Sequence, residues 1–211
     1  MGTGPLNTQR FLQQENKRLL QENESLRHEV TMLHDVLDAL RALQEVSSRI
    51  DAKTNVLSLL DRILASALTS IGSKDGSLML IDNEGNELVF VVVHGAIRDT
   101  LMNHRIPLGE GIGGWVAVNG RAVMIPNVRI DPRFSTAVDQ NFNFKTRSLL
   151  CVPITFGNRV MGVIQAINKG DGQEFNRADL ALLGVVAQLA ATAMSRAEEV
   201  ILAEESKKEG D

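Results

Sequence analysis

In the sequence Leu149-Leu-Cys-Val-Pro-Ile-Thr-Phe-Gly-Asn-Arg-Val-Met-Gly-Val-Ile-Gln-Ala-Ile-Asn168, two apolar runs flank the turn Gly157-Asn158-Arg159. Short runs rich in valine, isoleucine and threonine are typical of β-strands, and glycine with asparagine between two such runs is typical of a tight turn. The sequence therefore predicts two neighbouring strands of a meander, at residues 149–156 and 160–168.

Three earlier segments extend the predicted sheet. Residues 77–81 and 88–93 are short, apolar and rich in β-formers, and the turn-forming cluster at residues 82–86 joins them into a predicted hairpin. A further strand is predicted at residues 122–125. Together these segments predict a mainly antiparallel sheet of five strands, with a sixth left open.

Helical patterns flank the predicted sheet. Asp51, as an N-cap, opens a helix whose apolar residues lie on one broad face until Gly72 ends the pattern. A second helix is predicted from Asp179 to about Glu205, and its first half is apolar on nearly every side, so it must be covered on two faces. We expect the sheet to cover one face and another helix, from residues 52–71 or from a dimer mate, to cover the other. The fold class is α+β.

Leucines recur every seven residues near the N-terminus, from Leu12 to Leu40. A strict heptad repeat predicts a left-handed coiled coil, and asparagine at the a positions favours two parallel chains in one register. The predicted seam of this parallel homodimer comprises Leu12, Asn16, Leu19, Asn23, Leu26, Val30, Leu33, Leu37 and Leu40.

The chain therefore divides into four predicted parts. These are a disordered N-terminus at residues 1–10, a coiled-coil dimerisation helix at 11–50, a globular domain at 51–203 and a charged tail at 204–211. Whether the first helix continues through residue 51 stays open at this stage. The tail is either a natural end or a break within the helix that leads to an output domain or signalling partner.

Composition argues against several classes of partner. The net charge is -4 and the single basic residue before the heptads is Arg10, so neither nucleic acid nor an anionic membrane is expected as a partner. One cysteine, Cys151, excludes an intramolecular disulfide, and four histidines without ligand spacing predict no metal site. Since no apolar run is long enough to cross a bilayer and no secretory pattern is present, the expected location is the cytoplasm.

Catalysis is not expected either. No serine, cysteine or threonine stands in a recognisable nucleophile motif, and the carboxylates are scattered, so no catalytic residue is assigned. Gly109-Glu-Gly-Ile-Gly-Gly114 matches a dinucleotide fingerprint formally, but Pro107 interrupts its approach and Asn119-Gly120 is expected to end the helix after little more than a turn. A tight glycine loop is the expected structure.

Several spaced motifs then point to one family. They are Leu108-Gly-Glu-Gly-Ile-Gly-Gly-Trp-Val-Ala-Val-Asn-Gly120, Val123-Met-Ile-Pro126, Asp131-Pro-Arg-Phe134, Lys145-Thr-Arg-Ser-Leu-Leu-Cys-Val-Pro-Ile154 and Val160-Met-Gly-Val-Ile-Gln-Ala-Ile-Asn-Lys169. In this order they resemble a GAF domain over about residues 52–200. The pattern resembles in particular the regulatory GAF domains of cyclic-nucleotide phosphodiesterases and adenylyl cyclases.

The resemblance implies a GAF fold and a ligand held between the sheet and a polar lid at residues 127–147. The candidate ligand contacts at matching places are His94, Ile112, Gly113, Ser135, Asp139, Phe142, Thr146 and Gln165. A candidate lid lock, thought in the family to hold the lid rather than touch the ligand, comprises Asn168, Lys169, Phe175 and Asp179. Leu180 replaces the glutamate of that signature.

Two functions are compatible with these features. The first is a regulatory module that senses a small polar metabolite, with a cyclic nucleotide as one candidate ligand and no certain cofactor, and that transmits through the dimer's helices. The alternative is a ligand-free dimerisation or adaptor module of a signalling protein. An interior too well packed to admit a nucleotide would favour the second.

Overall fold

The computed structural model describes residues 9–24, 26, 27, 30 and 56–208. Residues 9–24 form helix α1, which already includes two residues of the predicted disordered terminus. In the single chain, Leu12 and Leu19 are more than half exposed, and a coiled-coil partner would cover such leucines. The homodimer stays a prediction, because Leu33, Leu37, Leu40 and the junction at residue 51 lie outside the described residues.

The globular part begins with helix α2 (Val56–Ile71) and ends with helix α6 (Arg177–Lys208). Its strands are β1 (Ser73–Asp82), β2 (Glu87–His94), β3 (Arg105–Pro107), β4 (Val123–Ile125), β5 (Leu149–Phe156) and β6 (Arg159–Lys169). Short helices α3 (Arg98–Leu101), α4 (Gly111–Asn119) and α5 (Ala137–Asn141) connect them, with 3-10 turns at Val128–Ile130 and Gly170–Gly172. The strands form one antiparallel sheet in the order β3-β2-β1-β6-β5-β4.

Helices α2 and α6 pack against each other on one face of the sheet. Leu64 and Leu183, both completely buried, belong to this layer. The strand residues that meet it alternate along β5 and β6, and they are Leu150, Val152, Ile154, Ile164 and Ala166. Helix α6 therefore has the two covers expected from its apolar pattern, the sheet and α2.

The opposite face carries a second apolar cluster beneath α3, α4 and the lid segment. Its strand residues include Met79, Phe90, Val93, Leu149, Cys151 and Val163. Two polar side chains, Ser77 and Gln165, lie in register with each other on adjacent strands of this same sheet. This face holds the site described below.

Two elements differ from the prediction. Strand β3 was not predicted, because it has only three residues, and two of them are exposed, so no strand pattern can develop. Helix α4 has nine residues, longer than the little more than one turn expected, and it ends at Gly120 in the left-handed conformation. It packs so closely on the preceding loop that a Cβ at Gly114 would lie 2.8 Å from the backbone nitrogen of Gly109. The glycines thus permit a close helix–loop contact instead of preventing a helix.

Helix α6 is long and apolar enough to cross a membrane by length and composition, the single such helix among the described residues. However, 56% of the apolar window is buried inside the protein, which is typical of a core helix, so a membrane span is not indicated.

Gly184 lies in α6, and a Cβ added to it would have no atom within 4 Å. We expect Gly184→Ala to raise the free energy of unfolding by about 0.5–1 kcal/mol, because alanine restricts the unfolded chain and favours a helix. Gly76→Ala is the matched opposite case, since its Cβ would lie 2.7 Å from the Gln165 carbonyl oxygen, and it should destabilise. Urea unfolding of both variants checks the prediction, and a loss of stability in Gly184→Ala would contradict it.

Candidate functional site

A cavity of about 230 Å³ lies between the second face of the sheet and the lid at residues 127–147. Strands β1, β2, β3 and β6 supply its floor and one wall, the start of α4 supplies another, and the lid closes it. Ligand pockets usually measure about 300–1,000 Å³. The cavity is therefore small, and it suits a compact molecule without any movement of the lid.

The floor of the cavity carries two neutral polar groups. Ser77 and Gln165 are partners across β1 and β6, and Gln165 is in turn opposite Cys151 on β5. The Ser77 hydroxyl is buried, with 1% of the residue exposed, and it has no hydrogen-bond partner. Gln165 donates from Nε2 to the Cys151 sulfur at 3.6 Å, which is a weak bond. Both groups can therefore still bind a polar ligand or water.

The first turn of α4 faces the same cavity through Gly111, Ile112 and Gly113. Backbone N–H groups in a first turn have no acceptor within the helix, and the N-cap side chain, Glu110, does not cap them. A Cβ at Gly113 would lie 2.9 Å from Gln165 Nε2, so glycine lets the helix backbone approach the floor closely. This wall offers hydrogen-bond donors to a ligand.

The lid is held together by the carboxylate of Asp139. It accepts hydrogen bonds from Arg129 Nη2 at 2.6 Å, from Thr146 N at 3.1 Å and from Thr146 Oγ1 at 2.6 Å. Arg133 stacks over Trp115 of α4, with its guanidinium carbon 4.5 Å from the ring centroid. These contacts close the two ends of the lid on each other and fasten it to α4.

Seven of the eight predicted ligand contacts line the cavity, and these are His94, Ile112, Gly113, Ser135, Asp139, Thr146 and Gln165. Asp139 and Thr146 bond to each other, so in this arrangement they order the lid. Phe142 lies outside the lining and packs edge-on against His104, with ring centroids 5.1 Å apart. The aromatic rings that the lid does contribute to the lining belong to Phe134 and Phe144.

His94 connects the cavity wall to α2. Its Nε2 lies 3.2 Å from both the carboxylate and the main-chain carbonyl oxygen of Asp61. Both partners are acceptors, so Nε2 carries the hydrogen and donates. Arg98 approaches the same carboxylate at 3.8 Å. A movement of the His94 side chain therefore acts directly on α2 through Asp61.

The four candidate lock residues lie around the end of β6 and the start of α6, in three separate places. Lys169 donates to Asp179 at 2.6 Å in a nearly buried ion pair, and Asp179 also accepts from Asn176 N, which completes a capping box at the start of α6. Asn168 accepts from Arg147 N at 2.7 Å and donates to the Lys145 carbonyl at 2.8 Å, so it clamps the end of the lid. Phe175 is buried in the layer of α2 and α6, away from the cavity.

A protein-family model described as GAF domain matches residues 55–194. The chain belongs to the GAF domain family. The dual 3',5'-cyclic-AMP and -GMP phosphodiesterase 11A of Takifugu rubripes is 34% identical over 169 residues, which cover 75% of this chain and 18% of the relative. The probable 3',5'-cyclic phosphodiesterase pde-5 of Caenorhabditis elegans is 27% identical, covering 76% of this chain and 20% of the relative. The chain thus spans about a fifth of these curated relatives, and only their GAF portion is matched.

The predicted GAF fold is confirmed by solved structures. The GAF domain from a phosphoenolpyruvate-protein phosphotransferase (ptsP) of Coxiella burnetii superposes with a TM-score of 0.65 at 16% identity, covering 78% of this chain and 96% of that chain. At this identity the likeness shows the fold alone. GAF domains are generally regulatory and non-catalytic, and the expected signalling role agrees with the phosphodiesterase relatives at that coarse level.

Among the lining residues of this GAF cavity that reasoning from the sequence missed are Asp75, Ser77 and Phe144. Ser77 and Asp75 lie on one face of β1 because alternate residues share a face. That alternation was available from the sequence, and the irregularity between Leu78 and Met79 affects only the pairing of β1 with β2. Phe142 and Phe144 are two residues apart, and the path of the irregular chain after α5 places only Phe144 in the lining. Among the described residues, no group of three His, Cys, Asp or Glu side chains could hold a metal.

Cys151 is completely buried in the GAF domain, and burial raises the pKa of its thiol to about 12. The thiol is therefore protonated at neutral pH, and we expect no alkylation of the folded protein by iodoacetamide at pH 8 within an hour, with full alkylation in urea. Intact-mass spectrometry reads out the result. Modification of the native protein within minutes would contradict the assignment of Cys151 as an inert core residue.

Proposed function

We propose that this GAF domain is a regulatory module that senses a small polar metabolite and transmits its binding through α2, α6 and the predicted parallel coiled coil. The observation that carries the proposal is the unpaired Ser77 hydroxyl on the cavity floor. A buried polar group without a partner costs about 1–3 kcal/mol, so such a group persists where a ligand or water satisfies it.

The free space supports a sensor over a ligand-free dimerisation or adaptor module. An engineered cavity of about 150 Å³ already binds benzene, and the cavity here measures about 230 Å³. A module whose lid merely fills the core would leave no such volume between β1, β6 and α4. The phosphodiesterase relatives make cyclic AMP and cyclic GMP natural members of the first ligand panel. A complete nucleotide would need the lid to open further.

Transmission rests on the pair His94 and Asp61. His94 lines the cavity, while Asp61 belongs to α2, the helix that follows the predicted coiled coil. A ligand can shift the arrangement of the helices only by its differential affinity for the two states. The His94–Asp61 contact gives a physical basis for such a difference, because a ligand against His94 changes the contact's geometry.

The test is native mass spectrometry of the purified protein, followed by thermal-shift screening against cyclic AMP, cyclic GMP and a metabolite panel. A ligand at one hundred times its Kd should add about 2.7 kcal/mol of stability, so the melting temperature should rise with concentration. Ser77→Ala serves as the control variant. It should fold with equal or higher stability, because it removes an unpaired group, and it should respond less to the ligand.

The same mass spectra test the predicted homodimer. A dimer that carries no bound molecule, and whose melting temperature no compound raises, would favour the ligand-free module. A monomer would contradict the coiled coil. We also infer a cytoplasmic location, supported by the burial of more than half of the apolar part of α6 inside the protein.

A further inference from the structure

The charges around the cavity are unequal. Asp75 of β1 and Glu110 before α4 both contribute to the lining. Glu110 accepts a hydrogen bond from Ser135 at 3.3 Å, and within the part of the chain that the structure describes neither carboxylate has a basic side chain in salt-bridge range. Two negative charges at the cavity are therefore not neutralised by the protein.

Positive groups near the cavity are already engaged. Arg105 contributes to the lining, but its guanidinium holds Asp82 at 2.5 Å and Glu87 at 3.0 Å. Arg129 is paired with Asp139 in the lid. An anionic ligand would have to compete with these carboxylates for either guanidinium.

The two histidines of the lining do not change this balance. His94 directs Nε2 at Asp61, and His104 packs between the rings of Phe90 and Phe142. The partial positive charge at the start of α4 is the remaining attraction for an anion. Glu110 stands at that same helix end and offsets it.

The floor adds a neutral hydrogen-bonding edge. Asp75 and Ser77 share one face of β1, and Ser77 is in register with Gln165. A compact molecule on this floor meets the Ser77 hydroxyl, the Gln165 amide beside it on the next strand and the Asp75 carboxylate two residues along β1. This arrangement fits a ligand that carries a planar donor group with a positive charge at one end, because ionised partners make the stronger hydrogen bonds.

We propose that the cavity takes a compact ligand bearing a cationic nitrogen, an amine or amidine that pairs with Asp75 while its neutral part bonds to Ser77 and Gln165, and that it rejects anions. This inference rests on the proposed sensor function. It makes a ligand without net negative charge the favoured class, and it places cyclic nucleotides among the disfavoured ones.

The experiment compares three probes of one shape that differ in charge, namely benzamidine, benzamide and benzoate, together with cyclic GMP. Affinities are measured by NMR titration of the full chain, with the backbone amides of residues 111–113 and the Gln165 side chain as reporters of the site. We expect benzamidine to bind about tenfold or more tightly than benzamide, and benzoate to bind least, because a charge-assisted bond is about twice as strong as a neutral one.

Two matched variants separate a specific contact from a general charge effect. Asp75→Asn removes one negative charge at the cavity and should abolish most of the advantage of benzamidine over benzamide. Asp99→Asn removes one negative charge on α3, outside the lining, and should leave the advantage intact. Melting curves of both variants verify that they fold.

Tighter binding of benzoate or cyclic GMP at these reporters, or an unchanged ranking in Asp75→Asn, would overturn the charge assignment while leaving the sensor function standing. No binding by any probe or by the metabolite panel would overturn both proposals. Tightest binding by benzamidine would support both proposals if its advantage over benzamide is lost in Asp75→Asn and kept in Asp99→Asn.

Discussion

Asp179→Ala is expected to lower the free energy of unfolding by about 3–5 kcal/mol, because removing one partner of a buried ion pair leaves the other charge uncompensated. Lys169 is only 11% exposed and Asp179 only 1%, so water cannot replace the lost carboxylate. The substitution also removes the acceptor for Asn176 N at the start of α6. Urea unfolding monitored by circular dichroism measures the change.

An exposed ion pair between the same two elements, β6 and α6, provides the control. Arg159 and Glu198 lie 3.9 Å apart with more than half of each side chain exposed, so Glu198→Ala should cost about 1 kcal/mol or less. The double variant Lys169→Met with Asp179→Ala should recover part of the loss, since a buried pair can often be replaced by apolar groups. Equal costs for Asp179→Ala and Glu198→Ala would show that the first pair is not structurally important.

Leu64→Ala should cost about 2–5 kcal/mol, the usual range for truncating a fully buried leucine. Leu64 has no exposed surface and lies in the layer where α2 meets α6 and the sheet. The substitution would loosen the packing of α2, the helix that contacts His94 of the cavity wall.

Leu57→Ala on the same helix is the matched control, because Leu57 is 47% exposed. Its cost should stay below about 1 kcal/mol, within the range of surface substitutions. Thermal melts of both variants at one protein concentration compare them directly. If Leu57→Ala were the more damaging change, a partner helix would cover that face in solution, and the burial seen in the single chain would be incomplete.

The sheet was largely predictable because its central strands are long, apolar and separated by strong turn signals. Residues 149–156 match β5 at both ends, and the predicted residues 160–168 lie within β6. The short strand β3 and the length of α4 were not predictable in the same way. Both depend on a tertiary contact, since α4 packs on the backbone of the loop that follows β3. Local propensity carries no information about such a contact.

The candidate site likewise has residues whose place was predictable from the sequence and residues whose place depends on tertiary contacts. His94, Ile112, Gly113 and Gln165 were named from resemblance and lie on strands or at the start of a helix, where position in the chain determines position in space. The lid is irregular, so the choice between Phe142 and Phe144 as a lining residue could not be made from spacing. The bonding of Asp139 to Thr146 and Arg129 was also hidden, because a candidate ligand contact and an internal lid contact use the same residue types.

The alternation along β6 has a consequence for evolution and for protein engineering. Val163, Gln165 and Ile167 belong to the cavity face, whereas Ile164 and Ala166 belong to the layer of α2 and α6. Under the proposed sensor function, residues that face the ligand cavity therefore alternate along one strand with residues that pack against the output helices. Descendants of such a domain can exchange one ligand for another by changing the first set while inheriting the second unchanged. For the same reason, a library randomised at the cavity positions alone would change the ligand specificity and leave the packing of the output helices unchanged.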